Sequence, residues 1–261
     1  MRIISADARL KEHTGVKMVI FGQYGVGKTS LLKTISEDTL CLDFEAGMLA
    51  VRDWQGDSIS VRTWEEARDI ACLIGGANPA LKSDSAYSLK HFNYITDKYK
   101  LDLSKYKCIF IDSISIASKL CLTWCKSQPE CVSEKTGKHD LRAAYGLLAH
   151  EMNAWLNQFQ HIPNKDVILV GLLETKIDDF NRTTYVPQVE GSKIANELPG
   201  ILDEVLTLAA IKDANGVLSR KFICKTLNPY GYPAKDRSGK LEMLEEANLD
   251  DILNKIKSNK E

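Results

Sequence analysis

No apolar run in this 261-residue chain approaches the ~20 residues that a membrane-spanning helix needs, so a membrane protein is not expected. The opening residues, Met1-Arg2-Ile3-Ile4-Ser5, hold no extended apolar core of the signal-peptide kind, and a cytoplasmic location is the expectation. Charge of one sign is also scarce. The formal net charge is −1, which excludes a whole-surface basic field for gripping nucleic acid; any such contact must come from a local loop. Neither C-x-x-C nor H-x-x-x-H occurs. The seven cysteines are odd in number and scattered, which suits reduced thiols rather than a disulfide framework. Cys121, Cys125 and Cys131, with His139 beyond, match no common zinc spacing, and small apolar packing is the expected role of Cys121 and Cys125. Internal repeats, low-complexity tracts and the arginine-rich lid of a small-molecule kinase are missing too. What is present is a globular composition, 44% hydrophobic and 26% charged, in a chain long enough for one large domain with a substantial core.

Strand and helix signals alternate along the chain. Continuous or near-continuous apolar runs predict strands at Met18–Phe21, Leu40–Phe44, Ile59–Val61, Cys108–Ile111, Val167–Leu172 and Glu204–Leu208, as in a sheet covered on both faces. Thr63-Trp64-Glu65-Glu66 reads as a capping box opening a helix to about Leu73, which Gly75-Gly76-Ala77-Asn78-Pro79 breaks. Helices are also predicted over Tyr87–Tyr99, Leu141–Phe159 and Asn248–Ile256. Asn215-Gly216 marks a hairpin turn. Ser83–Ser88 and Lys126–His139 read as polar loops open to disorder. The expected fold is α/β: three layers around a mostly parallel central sheet. It forms a single domain over residues 1–261, with a core at about 16–211 and a C-terminal hairpin and helix at about 212–261.

The decisive segment is Gly22-Gln23-Tyr24-Gly25-Val26-Gly27-Lys28-Thr29, which fits G-x-x-x-x-G-K-[ST] at every fixed position. A predicted strand precedes it and a helical run, Thr29 to Ser36, follows. Glycines let the backbone turn tightly so that successive N–H groups face phosphate oxygens, and a helix start adds partial positive charge beneath them. Gly22 through Ser30 therefore form the candidate nucleotide cradle. Lys28 is placed on the β- and γ-phosphates, and the Thr29 hydroxyl on Mg²⁺.

Two more segments carry acids. Lys107-Cys108-Ile109-Phe110-Ile111-Asp112 is an apolar strand ending in a carboxylate, expected beside the first strand with Asp112 facing Mg²⁺. Leu40-Cys41-Leu42-Asp43-Phe44-Glu45-Ala46-Gly47 delivers two acids to one side of Phe44, so either Asp43 or Glu45 is positioned to polarise an attacking water.

These pieces, in this order and spacing, resemble the RecA/RadA recombinase-type ATPase core. Within it they are similar to a family of short, phage-encoded RecA-like ATPases of the single-strand-annealing type. The residues behind the resemblance are Gly22–Ser30, Leu42–Gly47, Ile59–Trp64, Ile109–Ser113, Pro187–Lys193 and Ala234–Arg237; it covers roughly residues 16 to 256. The resemblance implies Mg-dependent ATP hydrolysis with Glu45 as the catalytic acid and Asp112 as the metal-facing carboxylate. It further implies nucleotide sites shared between subunits of a homo-oligomer, and action on single-stranded DNA in phage-type recombination or annealing in a host cytoplasm. Recombinases carry an amide side chain just after the strand matching Val167–Leu172. Here Leu173-Glu174-Thr175-Lys176 follows, so Glu174 or Thr175 holds that place.

The segment from Lys176 to Lys193 mixes Lys176, Phe180, Arg182, Tyr185 and Lys193, cations for phosphates and rings for bases, with Asp178, Asp179 and Glu190 diluting the charge. It is the candidate DNA loop. Lys235 and Arg237, in Pro233-Ala-Lys-Asp-Arg-Ser-Gly239, are candidates for a cation inserted into a neighbour's site. Two alternatives compete. Thr175-Lys176-Ile177-Asp178 resembles a variant of the guanine-reading N-K-x-D motif of GTPase switches, although Asp112-Ser113-Ile114-Ser115 lacks the glycine of D-x-x-G. A nucleotide-dependent assembly factor with little turnover is the other.

Overall fold

The computed structural model describes residues 5, 15–132, 137–177, 181, 183–212 and 215–258. Its frame is a ten-stranded sheet in the order β10-β8-β7-β1-β5-β4-β2-β3, with β6 paired to β5 and β9 to β7. The strands are β1 (Lys17–Gly22), β2 (Thr39–Asp43), β3 (Asp57–Ser60), β4 (Cys108–Asp112), β5 (Asp166–Ile177), β6 (Thr183–Pro187), β7 (Glu204–Lys212), β8 (Leu218–Ile223), β9 (Lys235–Asp236) and β10 (Leu244–Glu246). The six central strands, β7-β1-β5-β4-β2-β3, are parallel; β6, β8, β9 and β10 join antiparallel.

Alternation along each central strand builds two cores. Val19, Phe21, Leu40, Leu42, Ile109, Ile111, Val167 and Leu169 face one side. There they meet α1 (Trp64–Gly75), α2 (Leu89–Tyr99), α3 (Ile114–Ser127), α4 (Leu141–Gln160) and α5 (Ser192–Ile201). Met18, Ile20, Cys41, Phe110, Ile168, Val170 and Leu206 face the other side, under Leu31 and Leu32 and α6 (Leu249–Lys257). A strand with period-two side chains and apolar residues on both faces is stable only between two covering layers, so this is a three-layer α/β fold.

The predicted elements are present, with differences that matter for the site. β5, not β4, lies beside β1: Val19 is level with Leu169 and Gly22 with Leu172, while β4 pairs with β5 on its far side. Ile109–Ile111 and Val167–Val170 are all fully buried, so both strands need interior positions and burial admits either beside β1; it is the return of the chain through α4 that sets β5 there. β5 also continues past the predicted end at Leu172, through Ile177, to form an antiparallel arm with β6. The helix expected over Thr29–Ser36 is a six-residue 3-10 turn, Thr29–Thr34. It is cut short because the Thr34 hydroxyl donates to Leu31 O (2.8 Å) and accepts from Leu249 N (3.0 Å), and Ile35 is extended. Ser83–Ser88 is folded, with Ser88 buried and capping α2 through His91 N at 3.2 Å. All seven cysteines are buried and free. Among the described residues, no helix is long and apolar enough to cross a membrane.

Candidate active site

β1 delivers the phosphate loop at the carboxyl end of the parallel strands, where the chain leaves the sheet as Gln23–Lys28. Two glycines have identifiable reasons. A Cβ on Gly22 would sit 2.8 Å from Val26 Cγ1 and 2.9 Å from Leu208 O, a close approach to the neighbouring strand that no side chain survives. Gly27 has φ +92, in the region that penalises other residues. Lys28 Nζ lies within the loop, donating to Gly22 O and Gln23 O at 3.0 Å each. Burial lowers its pKa, and Glu45 and Asp112 oppose that shift. Tyr24 is 90% exposed at the loop crest. Because the following turn is short and 3-10, attraction for an anion would come from the loop amides and Lys28 rather than from a long helix dipole.

Three segments far apart in sequence meet here. Thr29 Oγ1 donates to Asp112 Oδ2 at 2.6 Å, although β5 lies between β1, which leads into the loop before Thr29, and β4, which ends in Asp112. The loop after β2 folds across both: a Cβ on Gly47 would be 3.7 Å from Thr29 Oγ1 and 3.9 Å from Asp112 Oδ2. That loop is shaped by Asp43, whose buried Oδ1 accepts from Glu45 N and Gly47 N, 3.1 Å each. Glu45 is exposed to the site, and its Oε1 accepts from the Ser113 hydroxyl. Phe44 seats the loop on the core, edge-on to Trp155 at 6.3 Å. Burial pushes the Asp112 carboxyl up to about 6, with Glu45 and Asp43 adding to the rise against the Thr29 hydrogen bond and Lys28. A hydroxyl and a carboxylate in contact form a hard-oxygen pair that fits Mg²⁺, and a bound cation removes the cost of ionising Asp112 in this setting. Among the described residues no group of three or more His, Cys, Asp and Glu stands ready to hold a metal alone, so such an ion would need the nucleotide's own oxygens.

The family model described as AAA domain matches residues 14–238, most of the chain. The chain belongs to the AAA domain family. Among curated proteins none matches it. Among solved structures it is similar to a prototypical ATPase from the type III secretion system of pathogenic bacteria, at 17% identity and a TM-score of 0.36. That match covers 75% of this chain and 51% of the other, so this AAA domain chain spans about half the length of that protein.

The remaining predicted residues of this AAA domain lie elsewhere. Thr175 and Lys176 are strand residues of the β5–β6 arm, level with Tyr185 and Thr184, rather than loop residues. Lys176 pairs with Glu174 at 2.7 Å, Lys193 with Glu197 at 3.9 Å, and Tyr185 stacks on Tyr232 at 4.2 Å. Asp178, Asp179, Phe180 and Arg182 lie outside the described residues. Lys235 and Arg237 sit on or just after β9, which pairs with the first residues of β7, at the end of the sheet opposite the phosphate loop. Lys235 Nζ donates to Pro199 O and Leu202 O, and Arg237 pairs with Asp203, each at 2.7 Å. Ser113 is a site residue to which the sequence analysis gave no role of its own. Its hydroxyl both caps α3, accepting from Ile116 N, and holds Glu45. The signal was the serine directly after the strand-terminal Asp112.

Proposed function

We propose that this AAA domain binds Mg-ATP at the loop Gly22–Ser30 and hydrolyses it by in-line attack of water on the γ-phosphate. The observation that carries the reading is the convergence of Thr29, Asp112 and the Glu45–Gly47 loop on one point beyond the phosphate loop. Loop amides and Lys28 would hold the phosphates. Thr29 and Asp112 would hold Mg²⁺, which supplies charge neutralisation at the phosphoryl oxygens. Glu45 is the general base: its carboxylate is exposed to the site and oriented by Ser113, whereas both N–H bonds of the turn engage Asp43.

A nucleic-acid role would use the β5–β6 arm. A groove of about 350 Å³ runs beside it, lined by Lys119, Lys176, Gln188 and Asn196 together with Glu174 and Glu190. We propose single-stranded DNA as its occupant and a homo-oligomer as the working form. The test is ATP and GTP turnover with and without single-stranded DNA, alongside sizing of the assembly. ATP turnover that rises with DNA supports the whole reading. Binding with negligible turnover would instead favour an assembly factor, and preference for GTP a switch.

A further inference from the structure

The sheet brings to the phosphate loop one cation that the motifs do not account for. β7 outruns β1: Phe21 is level with Thr207, and β7 continues to Lys212. β8 pairs antiparallel with that extension and sets Arg220 opposite Ala210, at the height of the loop. A Cβ on Gly27 would lie only 2.4 Å from Arg220 Nη1 and 3.6 Å from its Cζ, with Ser30 Oγ at 3.7 Å. The guanidinium therefore rests against the loop backbone itself. Its neighbour on the strand, Lys221, is paired with Glu246, and Arg68 and Arg237 have carboxylate partners. Arg220 is exposed and, among the described residues, has neither an ion pair nor a hydrogen bond. A guanidinium offers five donors in a planar fork suited to phosphate, and these remain available.

Its side of the loop says which phosphate. Glu45 and Asp112 come from β2 and β4, on one flank of β1, and mark the end where the terminal phosphate reacts. Arg220 comes from β8, on the other flank, beside Gly27 and Ser30. A polyphosphate laid across the loop from the reacting end reaches Arg220 at its sugar-proximal end.

We infer that Arg220 binds, within its own chain, the sugar-proximal phosphate of a nucleoside di- or triphosphate seated on the phosphate loop. This rests on the nucleotide reading above and extends it to a residue on the antiparallel edge of the sheet. Unlike a finger lent by a neighbour, it acts in the isolated subunit and on product as well as substrate.

Calorimetric binding of ATP, ADP and inorganic tripolyphosphate to the wild type, Lys28→Ala, Arg220→Ala and Arg220→Lys tests it, with thermal unfolding confirming that each variant folds. Loss of a charge-assisted phosphate contact is expected to weaken all three ligands about tenfold in Arg220→Ala. Arg220→Lys, which keeps the charge but not the fork, should recover part of the loss. Wild-type affinity in Arg220→Ala beside a clear loss in Lys28→Ala overturns the role of Arg220 and leaves the nucleotide site standing. A loss confined to ATP places Arg220 on the terminal phosphate, and a loss for ADP but not for tripolyphosphate places it on the sugar or base; either result overturns the inference. Absence of nucleotide binding by the wild type, or its persistence in Lys28→Ala, overturns both.

Discussion

Two carboxylates leave β2 on the same side of Phe44, and their hydrogen bonds divide the work between them. Asp43 is buried and committed to the backbone N–H groups of Glu45 and Gly47, so it shapes the turn. Glu45, among the described residues, is held only by the Ser113 hydroxyl and faces the site. Glu45→Gln should leave ATP binding intact and lower kcat by about 10²- to 10⁴-fold, the usual worth of a positioned general base, as read in steady-state and single-turnover assays. Asp43→Ala leaves two N–H groups of the turn without an acceptor, and should lower thermal stability as well as turnover. Lys28→Ala should weaken ATP about tenfold to a hundredfold by titration, from the loss of charge-assisted bonds. The phosphate loop was legible in the sequence because its chemistry fixes residue types at fixed spacing. Alternation alone did not separate Asp43 from Glu45, since it puts both on one side; it was the family resemblance that favoured Glu45. Arg220 carried no signal either: its place depends on how far β7 overruns β1, a matter of register between distant segments.

Among the elements, α1 was readable from its first turn. Thr63 Oγ1 accepts from Glu66 N at 3.2 Å, and Glu66 Oε2 accepts from Thr63 N at 3.1 Å, the reciprocal pair that the spelling T-W-E-E announces. Thr63→Ala should cost about 1 kcal/mol in chemical denaturation. α5 escaped notice because Pro199 lies inside it and reads as a breaker. The β5–β6 arm escaped because its polar, half-exposed strands look like loop. β9 is held to β7 by Glu204, whose carboxylate accepts from Ser238 N (3.0 Å) and Arg237 N (3.2 Å). Burial pushes the Glu204 carboxyl up to about 7, with nearby Asp236 adding to the rise against those two N–H groups. Asp236 is held at about 2: burial raises it, but bonds from Lys225, Ser238, Leu241 and Gly239 outweigh that. The folded state therefore favours neutral Glu204. That contribution is whole below pH about 4.5 and is lost as pH rises through about 7, while Asp236 stays ionised across the window. Stability should fall by about 1–3 kcal/mol between pH 5 and pH 8, and the slope should flatten in Glu204→Gln.

At the scale of the whole molecule, the near-neutral charge limits what the surface can grip. If single-stranded DNA follows the β5–β6 arm, the groove beside it offers Lys119 and Lys176, with Lys193 in the first turn of α5 next to it in sequence, and two of these three already have acidic partners. Three phosphate contacts give a slope of about −2 in a plot of log affinity against log salt. A flat response would remove DNA from the arm. The α/β class and the strand–helix alternation were legible because apolar runs need two covering layers. The order of strands was not, because nothing local tells β5 to enter beside β1.

That order has a consequence for how the protein comes into being. β1 ends at Gly22, yet the strands that flank it, β5 and β7, begin only at Asp166 and Glu204. A nascent chain on the ribosome leaves this apolar strand unpaired until β5 emerges, and only release of β7 encloses it. Ribosome-stalled chains ending before residue 204 should be caught by chaperones rather than by immobilised nucleotide.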